Sequence, residues 1–231
     1  KENIIEYFKS GIKTTNELKI GVEHEKFIFD KNTNKRIDYS TIIKMFEALY
    51  EFGWKPVLEN HNVIALSKGD KNITLEPGNQ IELAGAKLNN IHEACSESYE
   101  YLFELRQVVE KLNLKIVSSG FDPMSTLAEI PNNPKQRYKI MTKDMPLGGS
   151  LSLDMMYRTC GTQLNIDYHS EEDFIKKFKL TNFIVPISIA LFANSSIVEK
   201  KNSNYLSYRS KVWQETSRGG LPEFFLENVD F

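Results

Sequence analysis

Two glutamates lie in the short stretch ITLEPGNQIEL, Ile73 to Leu83, whose pattern predicts a β-hairpin. Pro77-Gly78-Asn79 is a turn signal between two runs in which apolar and polar residues alternate. A three-residue loop would place Thr74 opposite Glu82 and make Glu76 and Glu82 diagonal neighbours, about 7–8 Å apart at the backbone. Such a pair either binds one small cation or belongs to a solvated outer face, and the hairpin taken alone favours the solvated face.

A second pair of acids, Glu23 and Glu25, lies in the segment GVEHEK, where strand geometry directs both side chains to the same face. Four carboxylates brought to one sheet face repel one another unless cations neutralise them. Hard oxygen donors without a cysteine or histidine cluster suit Mg²⁺, which proteins usually hold with a few carboxylates and substrate phosphates. The pattern favours metal-nucleotide chemistry, and the alternative is a set of solvated acids at separate ends of a sheet.

Three arginines, Arg137, Arg158 and Arg209, lie in polar, partly aromatic segments. Because the planar guanidinium fits phosphate and carboxylate with two hydrogen bonds, these residues are candidates for binding such groups. An isolated arginine is more often a surface residue or part of a structural ion pair, so that alternative stays open. Tyr208 and Trp213 are candidates for the wall of a pocket, although aromatic residues near element ends more often belong to the core.

The strands and helices that must position these residues are also indicated by the sequence. The predicted strands are Ile20–Asp30, Val63–Ser67, the two arms of the hairpin, and Met155–Tyr168, with Gln163 and Asn165 on one side of the last strand and Thr162 on the other. The predicted helices cover residues 1 to about 18, the stretch from a Ser40 cap to Gly53, Asn90–Asn113, and the stretch from a Ser170 cap toward Asn194 with Pro186 kinking or dividing it. Because strands cluster instead of alternating with helices, we expect an α+β fold with an antiparallel sheet, as a single domain over residues 1–231.

Composition narrows the class of protein further. The 231 residues are 41% hydrophobic and 26% charged, and the net charge of -2 with scattered lysines argues against nucleic-acid binding. Since no apolar run approaches the ~20 residues that span a bilayer and no signal-peptide core is present, we expect a cytoplasmic protein that does not bind membranes. Cys95 and Cys160 lack metal-ligand spacing and are expected to be small buried residues. No Walker, dinucleotide-binding or kinase motif occurs, so carboxylates and a metal would have to hold any nucleotide.

Seven segments in order resemble the plant-type and α-proteobacterial glutamate–cysteine ligases: IGVEHEKFIF, ITLEPGNQIELAGA, IHEACSE, QRYKIM, GSLSLDMMYRTCGTQLNIDY, IALFANSS and YLSYRSKVW. The resemblance runs from about Gly21 to the end of the chain. It implies a glutamine-synthetase-like fold, in which the concave face of a curved antiparallel sheet holds ATP, metal ions and both amino acids. This implication agrees with the α+β fold indicated by the elements.

The resemblance also implies a reaction and its residues. The reaction is ATP-dependent condensation of L-glutamate with L-cysteine, through γ-glutamyl phosphate, to γ-glutamylcysteine, the first step of glutathione synthesis. The implied Mg²⁺ ligands are Glu23, Glu25, Glu76 and Glu82. Arg158 and Arg209, in the matching RTC and YRS motifs, would bind the substrate carboxylate or the transferring phosphoryl group. The residues expected to contact substrate or nucleotide are Arg137, Thr162, Gln163 and Asn165, with Tyr208 and Trp213 as the wall of the amino-acid pocket.

The chain departs from the family pattern at several points. It reads RTCGTQ where relatives commonly have RTCTVQ, which changes Gly161 and Thr162, and Asn204 replaces the usual glycine before the YLS motif. Relatives continue well beyond PEFFLENVDF, so we expect the chain to lack the C-terminal part of the family. Two alternatives therefore stay open: a ligase of the same fold that uses a different amine, or a module that binds substrate without turnover.

Overall fold

The computed structural model describes residues 2–217 and 219–220. Within them, the α-helices are α1 (Glu2–Ser10), α2 (Tyr39–Leu49), α3 (Ile91–Lys111), α4 (Gln136–Asp144), α5 (Ser152–Arg158), α6 (Glu171–Leu191) and α7 (Tyr208–Gln214). The strands are β1 (Ile20–Asp30), β2 (Lys55–Glu59), β3 (Asn62–Lys68), β4 (Lys71–Leu75), β5 (Ile81–Ala84), β6 (Leu114–Val117), β7 (Thr162–Ile166), β8 (Ile197–Val198) and β9 (Lys201–Asn202).

Seven of the strands form one antiparallel sheet built around the long strand β1. The strand order is β2-β3-β4-β5-β1-β6, and β7 also pairs with β1. β7 pairs with residues 20–24 of β1, whereas β6 pairs with residues 27–30. The strands β8 and β9 form a separate two-stranded sheet. The antiparallel sheet with helices confirms the predicted fold class.

The main hydrophobic core lies between one face of this sheet and the helices α2 and α3. Its fully buried side chains come from β1, β4 and β5 on the sheet side and from both helices: Ile28, Ile73, Leu75, Ile81, Leu83, Ile42, Met45, Phe46, Leu49 and Leu105. Each of these helices begins with a side-chain cap. The Asp38 carboxylate accepts a hydrogen bond from the Thr41 amide, and the Asn90 side chain accepts from the His92 and Glu93 amides. The alternation of β1, β4 and β5 leaves their other residues on the opposite face of the sheet.

Most predicted elements are confirmed. β1 has the predicted bounds, and β4 and β5 form the predicted hairpin, with Thr74 opposite Glu82 and the Glu76 amide donating to the Gln80 carbonyl. α3 follows its predicted Asn90 cap, and the Ser170 hydroxyl caps α6 as predicted. α2 starts after Asp38 and not after Ser40, because Asp38 is the residue whose side chain reaches the Thr41 amide.

The predicted strand Met155–Tyr168 is wrong in its first part. Residues up to Arg158 belong to α5, in which the buried Ser152 and Met156 follow helical spacing, and the strand β7 begins only at Thr162. Strands β2 and β6 were not predicted. α6 is not divided at Pro186, which lies inside one helix. Cys160 is buried as expected, but Cys95 is exposed.

The helix α6 differs from the other long helix in its packing. None of its 21 residues is buried, although it carries many large apolar side chains. α3, of equal length, buries residues along one face against the sheet. In the described part of the chain, no helix combines the length and the apolar character needed to cross a bilayer.

Candidate functional site

Four glutamates lie on the sheet face that α2 and α3 leave uncovered, and we call Glu23, Glu25, Glu76 and Glu82 the acidic face. Glu23 and Glu25 share one side of β1, and Glu25 lies directly opposite Glu82 on β5. Thr74, opposite Glu82 on β4, donates to the Glu82 carboxylate over 3.0 Å and lies 3.4 Å from Glu76 Oε1. Strand register therefore brings together the two acid pairs that are far apart in sequence.

The acidic face perturbs the titration of its own carboxyl groups. Burial and, after it, the charges of Glu76 and Glu82 raise the pKa of Glu25 to about 7. The pKa of Glu82 is also raised, first by burial and then by Glu76 and Glu23. Like charges directly opposite each other on neighbouring strands are destabilising. The arrangement therefore favours any ligand that brings positive charge to this face.

Two of the carboxylates are oriented by hydrogen bonds from β7 and the residue before it. The Gly161 amide donates to Glu25 Oε2 over 2.5 Å, and the Asn165 side-chain amide donates to Glu23 Oε1 over 2.9 Å. Gln163 in turn donates to Asn165. Gln163 and Asn165 were predicted to face the site, and pairing of Gln163 with Glu23 places them on the acidic face.

The donor set of the acidic face suits a hard divalent cation with open coordination positions. Carboxylate oxygens are the ligands that Mg²⁺ prefers, and this ion usually keeps waters and takes further oxygens from substrate phosphates. Among the described residues, no three histidine, cysteine, aspartate or glutamate side chains are gathered closely enough to enclose an ion by themselves. The residues therefore fit a cation shared with a bound ligand, not one enclosed by protein alone.

Arg209, on α7, is the predicted arginine that lies beside the acidic face. The positive charge of Arg209 lowers the pKa of Glu25 and so offsets part of the increase described above. Burial lowers the pKa of Arg209 itself. The guanidinium lies 5.7 Å from the centre of the Trp213 ring, so the predicted pair shares one location. Within the described residues, Arg209 Nε and Trp213 Nε1 are buried without a hydrogen-bond partner. Since buried donors are normally satisfied, these two are available to a bound ligand.

Gly161 leaves room for this arginine. A Cβ atom at position 161 would lie 3.0 Å from Arg209 Nη2 and 3.5 Å from Glu25 Oε2. The departure of the RTCGTQ segment from the family pattern therefore lies at a position that adjoins both Glu25 and Arg209.

Arg158, a second of the three predicted arginines, forms ion pairs within the protein. It is the last residue of α5, where Nη1 donates to Asp154 over 2.7 Å and Nη2 lies 3.2 Å from Glu199. Its guanidinium also lies 4.6 Å from the centre of the Phe121 ring. Tyr208 packs edge-on against the same ring at 4.9 Å, so it belongs to the surroundings of Arg158. The contacts of Arg158 and Tyr208 described above are with these protein groups and not with the four glutamates of the acidic face.

Two further predicted contact residues, Arg137 and Thr162, lie near the start of α4 and at the start of β7. Arg137 is exposed on α4. Thr162 pairs with His24 and therefore lies on the opposite side of β7 from Gln163, because successive strand side chains alternate. The contact of Thr162 with substrate or nucleotide therefore stays a prediction, for the side of β7 opposite Gln163.

Sequence reasoning missed Tyr138 and Lys135, which adjoin the acidic face from the start of α4. The Tyr138 hydroxyl lies 3.1 Å from Glu76 Oε2, a contact between residues 62 positions apart. Lys135 Nζ donates to the Leu75 carbonyl over 2.7 Å. In the segment QRYKIM only Arg137 was predicted to contact a ligand. A local sequence pattern does not indicate a contact between residues 62 positions apart.

The hairpin turn is held by the buried Arg36 side chain, which sequence reasoning also missed. Arg36 forms an ion pair with Asp122 at 3.1 Å, and both side chains are fully buried. The Arg36 guanidinium also donates to the Gly78 carbonyl and, over 3.3 Å, to Gln80 Oε1. Gln80 then donates to the Thr159 carbonyl over 3.1 Å. Gln80 therefore holds the turn in place, while the acids flanking it face the site.

Comparison with known proteins identifies similar sequences. The profile described as glutamate-cysteine ligase family 2 (GCS2) matches residues 19–231. The chain is 42% identical over 235 aligned positions to a protein of Nicotiana tabacum named glutamate--cysteine ligase, chloroplastic, covering 100% of this chain and 45% of the relative. A rice relative (Oryza sativa subsp. japonica), glutamate--cysteine ligase A, chloroplastic, is 42% identical, with 48% of its length covered. The Medicago truncatula enzyme is 40% identical, with 46% of its length covered.

Two consequences follow from these matches. The chain spans slightly less than half the length of the curated relatives it matches. The expectation of a cytoplasmic protein is corrected, because these relatives are named as chloroplastic proteins.

Proposed function

The chain belongs to the glutamate-cysteine ligase family 2, and from this premise we propose that it takes part in joining L-glutamate to L-cysteine at the cost of ATP. The observation that carries the proposal is the acidic face, where Glu25 lies opposite Glu82 and beside Arg209. We propose that residues 1–231 form one catalytic domain, of which residues 1, 218 and 221–231 lie outside the described residues.

The proposed reaction has two steps in which bonds form and break at the γ-carboxyl group. First, a γ-carboxylate oxygen of glutamate attacks the γ-phosphorus of ATP, and ADP leaves. The cysteine amine then attacks the carbonyl carbon of the acyl phosphate in γ-glutamyl phosphate, loses a proton and displaces inorganic phosphate. Phosphoryl transfer depends mainly on positioning and charge neutralisation, so the protein must bring cations to the phosphates and hold the two reactants together.

Glu23, Glu25, Glu76 and Glu82 are the residues that would hold Mg²⁺. When bound with ATP, Mg²⁺ supplies positive charge to the phosphate oxygens. The carboxylates in turn orient the nucleotide over the sheet, because their own positions are fixed by strand register and by donors such as Gly161. A raised pKa at Glu25 means that a cation and a proton compete for this carboxylate near neutral pH.

Arg209 is the proposed cation for the transferring phosphoryl group or for the substrate carboxylate. Its free Nε donor and its position beside Glu25 support this role, and Trp213 would form part of the amino-acid pocket. Gln163 and Asn165 would contribute hydrogen bonds from β7. Roles in this reaction stay sequence predictions for three residues: Arg158, Arg137 and Tyr208. Arg158 and Tyr208 contact other protein groups, and Arg137 is exposed to solvent.

The proposal is tested by measuring ADP release by this chain with Mg²⁺, ATP, L-glutamate and L-cysteine, with each amino acid omitted in turn. We expect release that requires both amino acids and is accompanied by γ-glutamylcysteine. Binding of Mn²⁺ and ATP, measured separately, reports the site when turnover needs more of the protein than this chain. A chain that neither releases ADP nor binds Mn²⁺ with ATP contradicts the proposal.

The decisive variant is Glu76→Gln, with Glu110→Gln as its matched control. Glutamine has nearly the same shape as glutamate but is a poor Mg²⁺ ligand, so metal-dependent ADP release should be lost while the fold is retained. Glu110 is exposed on α3, on the other side of the sheet, and its substitution should leave both properties unchanged. Activity of the Glu76→Gln variant equal to that of the unsubstituted chain would remove Glu76 from the mechanism.

A further inference from the structure

The start of α4 and the residues before it hold the end of β4 and the next residue, Glu76. The Asn133 side-chain amide donates to the Glu76 carbonyl over 2.8 Å and to the Pro77 carbonyl over 3.1 Å. Lys135 Nζ donates to the Leu75 carbonyl over 2.7 Å. Three residues of one segment thus contact the backbone on both sides of the Glu76 side chain, with Tyr138 as the third.

The Tyr138 hydroxyl has two acceptors within reach and only one proton to donate. It lies 3.1 Å from the Leu75 carbonyl and 3.1 Å from Glu76 Oε2. The Leu75 carbonyl also accepts from Lys135 Nζ at the shorter distance, so it has a donor without Tyr138, whereas Glu76 Oε2 has the phenol as its close donor. Hydrogen bonds to an ionised acceptor are also stronger than those to a neutral carbonyl, which favours the same choice.

No other described side chain reaches Glu76 at so short a distance. The Thr74 hydroxyl lies 3.4 Å from Glu76 Oε1 but only 3.0 Å from Glu82, so its proton is better used by Glu82. Tyr138 is itself fixed, since it is 6% exposed and packs with Met141, Met145 and Met156 in a small apolar cluster. A rigid donor therefore meets one oxygen of Glu76 and leaves the other for a ligand.

We propose that Tyr138 is a positioning residue that orients the Glu76 carboxylate toward a cation on the acidic face. This inference rests on the proposed function, because it assumes that Glu76 binds the cation. Partners that orient metal ligands commonly change metal affinity by about 10–100-fold when they are removed. Tyr138 would act through Glu76 and would not contact the reacting groups.

The test compares binding of Mn²⁺ together with ATP, measured by equilibrium dialysis, in the unsubstituted chain, Tyr138→Phe and the control Tyr157→Phe. Tyr157 is a buried tyrosine of the same apolar cluster, and its hydroxyl contacts Thr142 over 2.6 Å. We expect the Mn²⁺ dissociation constant to rise about tenfold in Tyr138→Phe and less than about twofold in the control.

A double-mutant cycle with Glu76→Ala separates positioning from a general loss of structure. If Tyr138 acts through Glu76, Tyr138→Phe should weaken Mn²⁺ binding in the native background and should have no further effect in the Glu76→Ala background. Equal losses in both backgrounds, or no loss in either, would overturn the inference. An unsubstituted chain that neither releases ADP nor binds Mn²⁺ with ATP would instead overturn the proposed function, and the positioning role with it.

Discussion

The two faces of the hairpin formed by β4 and β5 are built by the same alternation but act on folding in opposite directions. On one face, Leu75 and Leu83 are completely buried against α2 and α3. On the other, Glu76 and Glu82 crowd each other and Glu25, and burial adds to the cost of their charges. The apolar face thus stabilises the sheet, while the acidic face keeps an arrangement that favours a ligand over the empty protein.

The largest effect should come from the apolar face. Leu83→Ala removes a side chain with no exposed surface and leaves a cavity, so we expect the free energy of unfolding to fall by about 2–5 kcal/mol. Urea unfolding followed by circular dichroism measures this change. Leu58→Ala on β2, where the side chain is 60% exposed, should cost less than about 0.5 kcal/mol and serves as the control. Equal losses in the two variants would mean that the hairpin does not contribute its apolar face to the core.

Substitution on the acidic face should raise the free energy of unfolding, by an amount that depends on pH. The pKa of Glu25 is raised from 4.5 to about 7, so the native state holds this proton more tightly than the unfolded state. Stability from this group is fully present below pH 4.5 and is lost as the pH rises through 7. Glu25→Gln removes that loss, and we expect the variant to be more stable than the unsubstituted chain by about 1–3 kcal/mol at pH 8.

This prediction is checked by urea unfolding without divalent cations at pH 5 and pH 8. The difference between Glu25→Gln and the unsubstituted chain should be larger at pH 8. Glu110→Gln, on the exposed side of α3, should show no such change between the two pH values. A variant that is less stable at pH 8 would show that the hydrogen bond from the Gly161 amide outweighs the repulsion.

The sequence was sufficient for the local features of this comparison. The alternation of ITLEPGNQIEL predicts the pairing of Thr74 with Glu82, and two acids at spacing two on β1 predict that Glu23 and Glu25 share a face. That both pairs occupy the same face of one sheet depends on β1 lying beside β5. Periodicity does not state which strands become neighbours, so this step came from the family resemblance.

The remaining errors have physical causes of the same kind. Arg158 was assigned to a strand because the residues after it alternate, whereas helical spacing from Ser152 to Met156 buries the residues before it. Tyr138 and Arg36 reach the hairpin across long separations in sequence, and neither lies in a pattern that reports such contacts. The residues that hold the site were therefore harder to predict than the residues that form it.

The turn that joins β4 and β5 should contribute an intermediate amount to the free energy of unfolding. Asn133→Ala removes one side-chain amide that donates to the carbonyls of Glu76 and Pro77, both at the end of the hairpin. We expect a loss of about 1–2 kcal/mol in the free energy of unfolding, because two partly buried carbonyls lose a donor. Asn182→Ala is a suitable control, since that side chain donates only within α6, to the Phe178 carbonyl. Equal and small losses would mean that water replaces Asn133 without cost.

The smallest effect should come from an apolar residue that the fold does not pack. Phe183 on α6 is 76% exposed, in contrast to the fully buried leucines of the hairpin. Phe and Ser have similar helix propensities, so Phe183→Ser should change the free energy of unfolding by less than about 0.5 kcal/mol. Urea unfolding at low protein concentration measures it, with Leu83→Ala as the contrasting variant. A loss as large as that of Leu83→Ala would show that α6 is packed in solution, whereas no loss would show that the exposed Phe183 side chain does not stabilise the folded chain.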